Sequence, residues 1–220
     1  MLNTIMLPEA VGNMIETVIV GAKAEILAPG LGFAGTAVAR YLVGRYDAAR
    51  TILRSELERV GVTAQDFNDA EQFAAGALRY ARAVRDQAAE ESLRLLAQAM
   101  AGLAKRHELW ASDFLKIADI IAPLSRDELI LIGRMMMEQD RRFYATPRPP
   151  RSEGDYWRNT VDEVIALFPS ESHMLAVATR AQRSGLILPI VGNIDVTGFY
   201  LSPIGREVRD IVNVEAALKT

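Results

Sequence analysis

The stretch GLILPIVGNIDVTGFYLSPIGREV, residues 185 to 208, decides how the C-terminal part of the chain is read. Gly185 ends a helical run, because glycine enters the left-handed region without steric cost. Leu186 to Val191 and Ile194 to Leu201 are apolar and β-branched segments on either side of Gly192-Asn193, a turn signal, and so predict a hairpin. Ser202-Pro203 then places a capping hydroxyl and a first-turn proline where a helix starts.

Upstream, the punctuation predicts more helices. Ser125-Arg126-Asp127-Glu128 has the spacing of a capping box before Leu129-Ile130-Leu131-Ile132. Thr160-Val161-Asp162-Glu163 repeats that spacing and predicts a short helix to Phe168. Ser170 is the expected cap of the next helix, which ends at Ser184-Gly185. Between the first two helices, Asp140 to Asn159 contains Pro147, Pro149 and Pro150 and is expected to be an irregular insertion. The order helix, insertion, helix, helix, hairpin, helix is the succession of a winged helix.

Before Ser125 almost no alternating strand pattern occurs. Glu9 to about Ile26 has near-helical apolar spacing, and Pro29-Gly30 interrupts it. A helix is predicted from about Phe33 to Val60, with Gly61 as its C-terminal cap. Arg40, Arg45, Arg50, Arg54 and Arg59 are expected along its exposed side. Thr63 and Asp66 mark the next start. Phe67 to Arg106 reads as long helix with a break near Gly76 or Gly102, and Ser112 to Ile121 as a shorter one. The expected fold is mainly α: a helical bundle or hairpin over residues 1–123, and a winged-helix (α+β) domain with a short β-hairpin wing over 124–220, the irregular Pro/Arg-rich insertion lying at 140–159.

Composition narrows the function. The chain has 220 residues, a formal charge of −3 and no cysteine, which excludes disulfides, thiolate metal sites and cysteine nucleophiles. From Ser125 onward, 12 Lys and Arg face 13 Asp and Glu, so no strong basic field draws in nucleic acid. Met1 to Pro8 has no positively charged start of the kind a secretory leader carries. Ile26 to Ala39 is uncharged over 14 residues, shorter than the roughly 20 that a membrane span needs. A cytoplasmic location is expected.

No catalytic, metal-binding or cofactor-binding constellation stands out. Gly30-Leu31-Gly32-Phe33-Ala34-Gly35 matches the spacing of a dinucleotide-binding fingerprint but lacks the strand before it and the strand–helix alternation after it. His107 and His173, the only histidines, have no partner at metal-ligand spacing. Glu90-Glu91 and Asp69–Glu71 sit among arginines at helical ion-pair offsets.

Two resemblances add to this. The run from Gly185 through Tyr200-Leu201-Ser202-Pro203-Ile204-Gly205-Arg206 resembles the recognition-helix end, wing and closing helix of winged-helix regulators of the MarR and PadR type. That resemblance implies DNA binding by the third helix, here Ser170 to Ser184, with Arg180, Gln182 and Arg183 as contacts. The helix also carries Glu171 and the apolar run Met174 to Ala178, and the wing has no Lys or Arg before Arg206. The layout of Leu93–Gly102, Phe114–Ala118 and Leu124–Leu129 is similar to abortive-infection alpha-like proteins of bacteria and prophages, which implies a phage-related setting.

Five arginines and four aromatics gather between Arg141 and Arg158. Arg141, Arg142 and Arg158 suit phosphate contact and the aromatics base stacking, or the aromatics pin the segment to the core while the arginines pair with acids. The expectation is therefore a non-enzymatic binding protein that takes double-stranded DNA or a protein partner and forms a homodimer through its N-terminal helices. The alternative is a structural or effector protein acting through helix-mediated oligomerisation or membrane-surface contact by residues 26–44.

Overall fold

A computed structural model describes residues 12–13, 15–17, 33–63, 66, 70–106, 111–145, 153–191 and 196–218. Among the described residues the chain is mainly helical, with one two-stranded antiparallel sheet, and it divides into two compact units, Met1–Ala122 and Pro123–Thr220.

The first unit is a helical bundle. Its helices are α1 (Phe33–Val60), α2 (Ala70–Arg85), α3 (Glu90–Lys105) and α4 (Ala111–Ile121), preceded by helical backbone at residues 12–13 and 15–17. Apolar positions at three- and four-residue steps put Ala39, Tyr46, Ala49, Leu53 and Leu57 of α1 in the core. They pack with Phe73, Tyr80 and Val84 of α2 and Leu96 and Met100 of α3, and Phe114 of α4 closes onto α2 and α3. Two buried phenols bond helix to helix reciprocally: Tyr46 donates to the Ala81 carbonyl (3.3 Å) and Tyr80 to that of Ala49 (2.9 Å). Burial at this spot pushes the Tyr80 hydroxyl far above its ordinary pKa, so it stays a donor.

Gly61 ends α1 at φ 69°, with Val62 N–H on the Leu57 carbonyl and Gly61 N–H on that of Glu58, the paired bonds of a Schellman cap. Asp66 accepts from the Thr63 N–H (2.6 Å) and hydroxyl (2.8 Å). The arginines of α1 are not simply a solvated row. Arg50 pairs with Glu16, Arg54 with Glu58 and Arg59 with the buried Glu56, while Arg45 donates to the Ala88 carbonyl.

The expected break at Gly76 or Gly102 does not occur. α2 runs through Gly76, where a Cβ would stand 3.4 Å from the Phe114 ring, and α3 runs through Gly102. The chain breaks instead at Asp86–Ala89. Ala88 N–H bonds to the Ala83 carbonyl and Gln87 N–H to that of Val84, a second Schellman cap. Its left-handed position is filled by Gln87 at φ 62°, where a glycine would be usual.

The second unit is built on α5 (Arg126–Ala145). Around it are α6 (Glu153–Val164) with a 3₁₀ turn at Ile165–Leu167, then α7 (Glu171–Ala181) with another at Gln182–Ser184. The hairpin β1 (Ile187–Val191) and β2 (Val196–Leu201) follows, then α8 (Pro203–Ile211) and α9 (Val214–Leu218). The strands pair antiparallel from Ile187 opposite Leu201 to Ile190 opposite Gly198, with an irregularity before Val191.

Leu129, Leu131, Ile132 and Met135 of α5 form the axis of this core. Trp157 of α6 is buried against β2, its ring edge-on to Phe199 at 5.1 Å between centroids. Two expectations are corrected here. The segment 140–159 is helical at both ends, since α5 reaches Ala145 and α6 begins at Glu153. Proline bars helix only near itself, and the flanking Arg, Tyr and Glu residues tolerate helical backbone well. Thr160 is a buried residue inside α6 rather than the cap of a new helix.

Candidate nucleic-acid interface

α7 is set by its start. The Ser170 hydroxyl accepts from the His173 N–H at 3.2 Å, so the helix begins at Glu171 with a satisfied donor. From there the faces separate. Met174, Val177, Ala178 and Ala181 are buried, whereas Ser172, Ala176, Thr179 and Arg183 form an exposed stripe at steps of four, three and four. Arg180 lies beside that stripe, also exposed, and Gln182 is half-buried at the helix end. The apolar run Met174 to Ala178 is thus largely the inward side, although Leu175 remains 40% exposed.

Gly185 at φ 73° terminates the helix and turns the chain into β1. The base of the hairpin is closed by Ser202. Its hydroxyl donates to the Gly185 carbonyl (2.5 Å), its N–H to the Leu186 carbonyl (3.0 Å), and the same oxygen accepts from the Gly205 N–H (2.9 Å). A Cβ at Gly205 would collide with the Leu186 carbonyl, so glycine is required for α8 to approach this closely.

The basic side chains of α7 meet acids at the first turn of α5. Glu128 has no exposed surface; its Oε2 accepts from the Ser125 N–H (2.8 Å) and hydroxyl (2.6 Å), completing the expected capping box. Its buried Oε1 has no hydrogen bond, and the nearest cation is Arg183 at 3.5 Å, a long contact from a side chain 64% exposed. Arg180 donates to the Ser125 hydroxyl at 3.5 Å, and His173 lies 3.5 Å from Asp127. These links join residues 46 to 55 positions apart, and no local pattern in the sequence announces them.

The structure brings Arg180, Gln182 and Arg183 together at one end of α7. Arg158 is exposed on α6 and makes no hydrogen bond or ion pair among the described residues. Arg141 and Arg142 belong to the last turns of α5, and their side chains lie outside the described residues. So do Gly192 to Asp195 between the strands, His107, and Gly30 to Gly32 of the glycine pattern; Phe33 to Gly35 simply open α1. Among the described residues no group of His, Asp and Glu could hold a metal ion, and no helix is long and apolar enough to cross a membrane.

No protein-family model, curated protein or solved structure matches the chain.

Proposed function

We propose that the second unit is a winged-helix module that binds double-stranded DNA through the outward face of α7. The observation that carries this is the division of that helix. Met174, Val177, Ala178 and Ala181 face the core; outward the helix turns Glu171 and His173 at its start, then a stripe of Ser172, Ala176 and Thr179 with Leu175 beside it, followed by Arg180 and Arg183. Small side chains let a helix backbone approach base edges, and arginine at the helix end reaches phosphate or guanine. The β1–β2 hairpin follows at once in the place of a wing. Arg158, and Arg141 and Arg142 from the end of α5, are further phosphate contacts in this reading.

The chain's small negative charge implies modest, salt-sensitive affinity. Fluorescence anisotropy with a random duplex tests the proposal: binding at about 50 mM salt should weaken steeply toward about 200 mM. Absence of binding to any duplex at low salt would overturn it. A protein ligand is the second reading, favoured by four large apolar side chains left exposed among the described residues of the same unit: Ile165 and Leu167 in the turn after α6, Leu175 on α7 and Val191 (71%) at the end of β1. In either case the protein works by binding rather than catalysis, and the phage-related setting we propose for it rests on the resemblance of Leu93–Gly102, Phe114–Ala118 and Leu124–Leu129 to abortive-infection alpha-like proteins.

A further inference from the structure

The geometry points to pairing of the chain with a second copy of itself along one stripe of α1. Val38, Tyr41, Arg45, Ala48 and Ile52 succeed one another at steps of three and four, the repeat by which a helix presents a continuous seam to a neighbouring helix. This seam is not the one that builds the core. The buried positions of α1, Ala39, Tyr46, Ala49 and Leu53, lie one residue further on and face the bundle. The second seam is left partly open: Val38 is 58% exposed and Tyr41 55%, on a helix otherwise patterned for burial and ion pairs.

The surface is concave where a helix would lie. A groove of about 400 Å³ runs between α1 and the start of α3, with Gly44, Ala48 and Ile52 on one wall and Leu93 and Glu90 on the other. A Cβ at Gly44 would meet nothing within 4 Å, so the backbone there is open to close approach.

Charge identifies the occupant as a like chain. The rim carries both signs, Arg40 on α1 and Glu90 on α3, and the Glu90 side chain is 67% exposed even while it touches Arg94. Arg40 is exposed and forms no ion pair among the described residues. A two-fold interface needs a surface that complements itself. Turning one copy over on the other sets Arg40 against the partner copy's glutamate twice, while Tyr41 and Val38 fill the opposing groove. A uniformly acidic or basic partner satisfies only one side of this rim.

Sedimentation of the full chain across a concentration series, without DNA, tests the pairing separately from any nucleic-acid binding. The parent should dimerise. Tyr41→Glu should weaken the dimer by roughly tenfold or more, with its circular dichroism unchanged because the site is exposed. Arg40→Glu and Glu90→Arg should each weaken it, and the two together should restore it. A monomeric parent at the highest concentration, a dimer indifferent to Tyr41→Glu, or a charge-swapped double variant no better than its singles would each overturn the inference.

Discussion

Trp157 fills the space that any side chain at position 198 would need: a Cβ on Gly198 would lie 2.6 Å from the indole Cγ and closer still to Cδ1. This contact holds α6 flat against β2, with Phe199 edge-on to the same indole. Gly198→Ala should therefore destabilise the second unit by about 1–3 kcal/mol, the cost of overpacking a filled core. Urea unfolding followed by tryptophan fluorescence would measure it. An unchanged midpoint would show that the indole can move aside.

Ser125→Ala removes more than a helix cap. The cap alone is worth about 1 kcal/mol, and the fully buried Glu128 would also lose its hydroxyl donor. A total loss of about 2–3 kcal/mol is expected, since a buried acceptor stripped of a partner carries its desolvation cost. Combining it with Glu128→Leu should recover part of that loss, because the buried charge goes too. Thermal melts of the parent and the two variants provide the comparison.

Arg180→Ala and Arg183→Ala should act on binding and hardly at all on stability. Their contacts with Ser125 and with the buried Glu128 are both long, 3.5 Å, and are made by exposed arginines, and contacts screened in this way contribute about 0–1 kcal/mol. If each arginine meets a phosphate, each substitution should reduce the slope of log K against log salt by about 1. Anisotropy titrations at several salt concentrations read that slope directly.

Asp66 gives the first unit an acid-sensitive clamp. Burial works to raise its pKa, but hydrogen bonds from the Thr63 N–H and hydroxyl, aided by Lys105 at 3.4 Å, outweigh burial and hold it below the ordinary carboxylate value. A folded pKa below the unfolded one, about 3.9, means the contribution is whole above that pH. It disappears as pH falls from there through the lower folded value. Asp66→Asn should thus be less stable than the parent at neutral pH, and the difference should close under acid. A gap that persists at low pH would refute the assignment.

Gln87→Gly should stabilise the protein. A left-handed glutamine costs about 1–2 kcal/mol, and the extra freedom of glycine in the unfolded chain returns about 0.5–1 kcal/mol of that. A net gain of about 0.5 kcal/mol is expected at the α2–α3 junction, seen as a raised melting temperature.

Legibility followed how local each determinant is. Gly61, Ser125–Glu128, Ser170 and Ser202-Pro203 were readable because a cap is made by residues within a few positions of each other, and each holds the place its spacing assigns. The Asp86–Ala89 break was hidden because its left-handed residue is a glutamine. Thr160 misled for the opposite reason: it has the spacing of a cap, but burial inside α6 decides its state. The candidate interface was half visible. Arg180, Gln182 and Arg183 stand out as residue types, whereas the sorting of α7 into two faces, and the approach of Arg183 to Glu128, depend on tertiary packing.

The three bonds of Ser202 to Gly185, Leu186 and Gly205 fasten both ends of the hairpin at its root. The register that sets Ile187 opposite Leu201 is consequently held from outside the strands, so a slip by one residue would have to undo the start of α8 as well as the ladder itself.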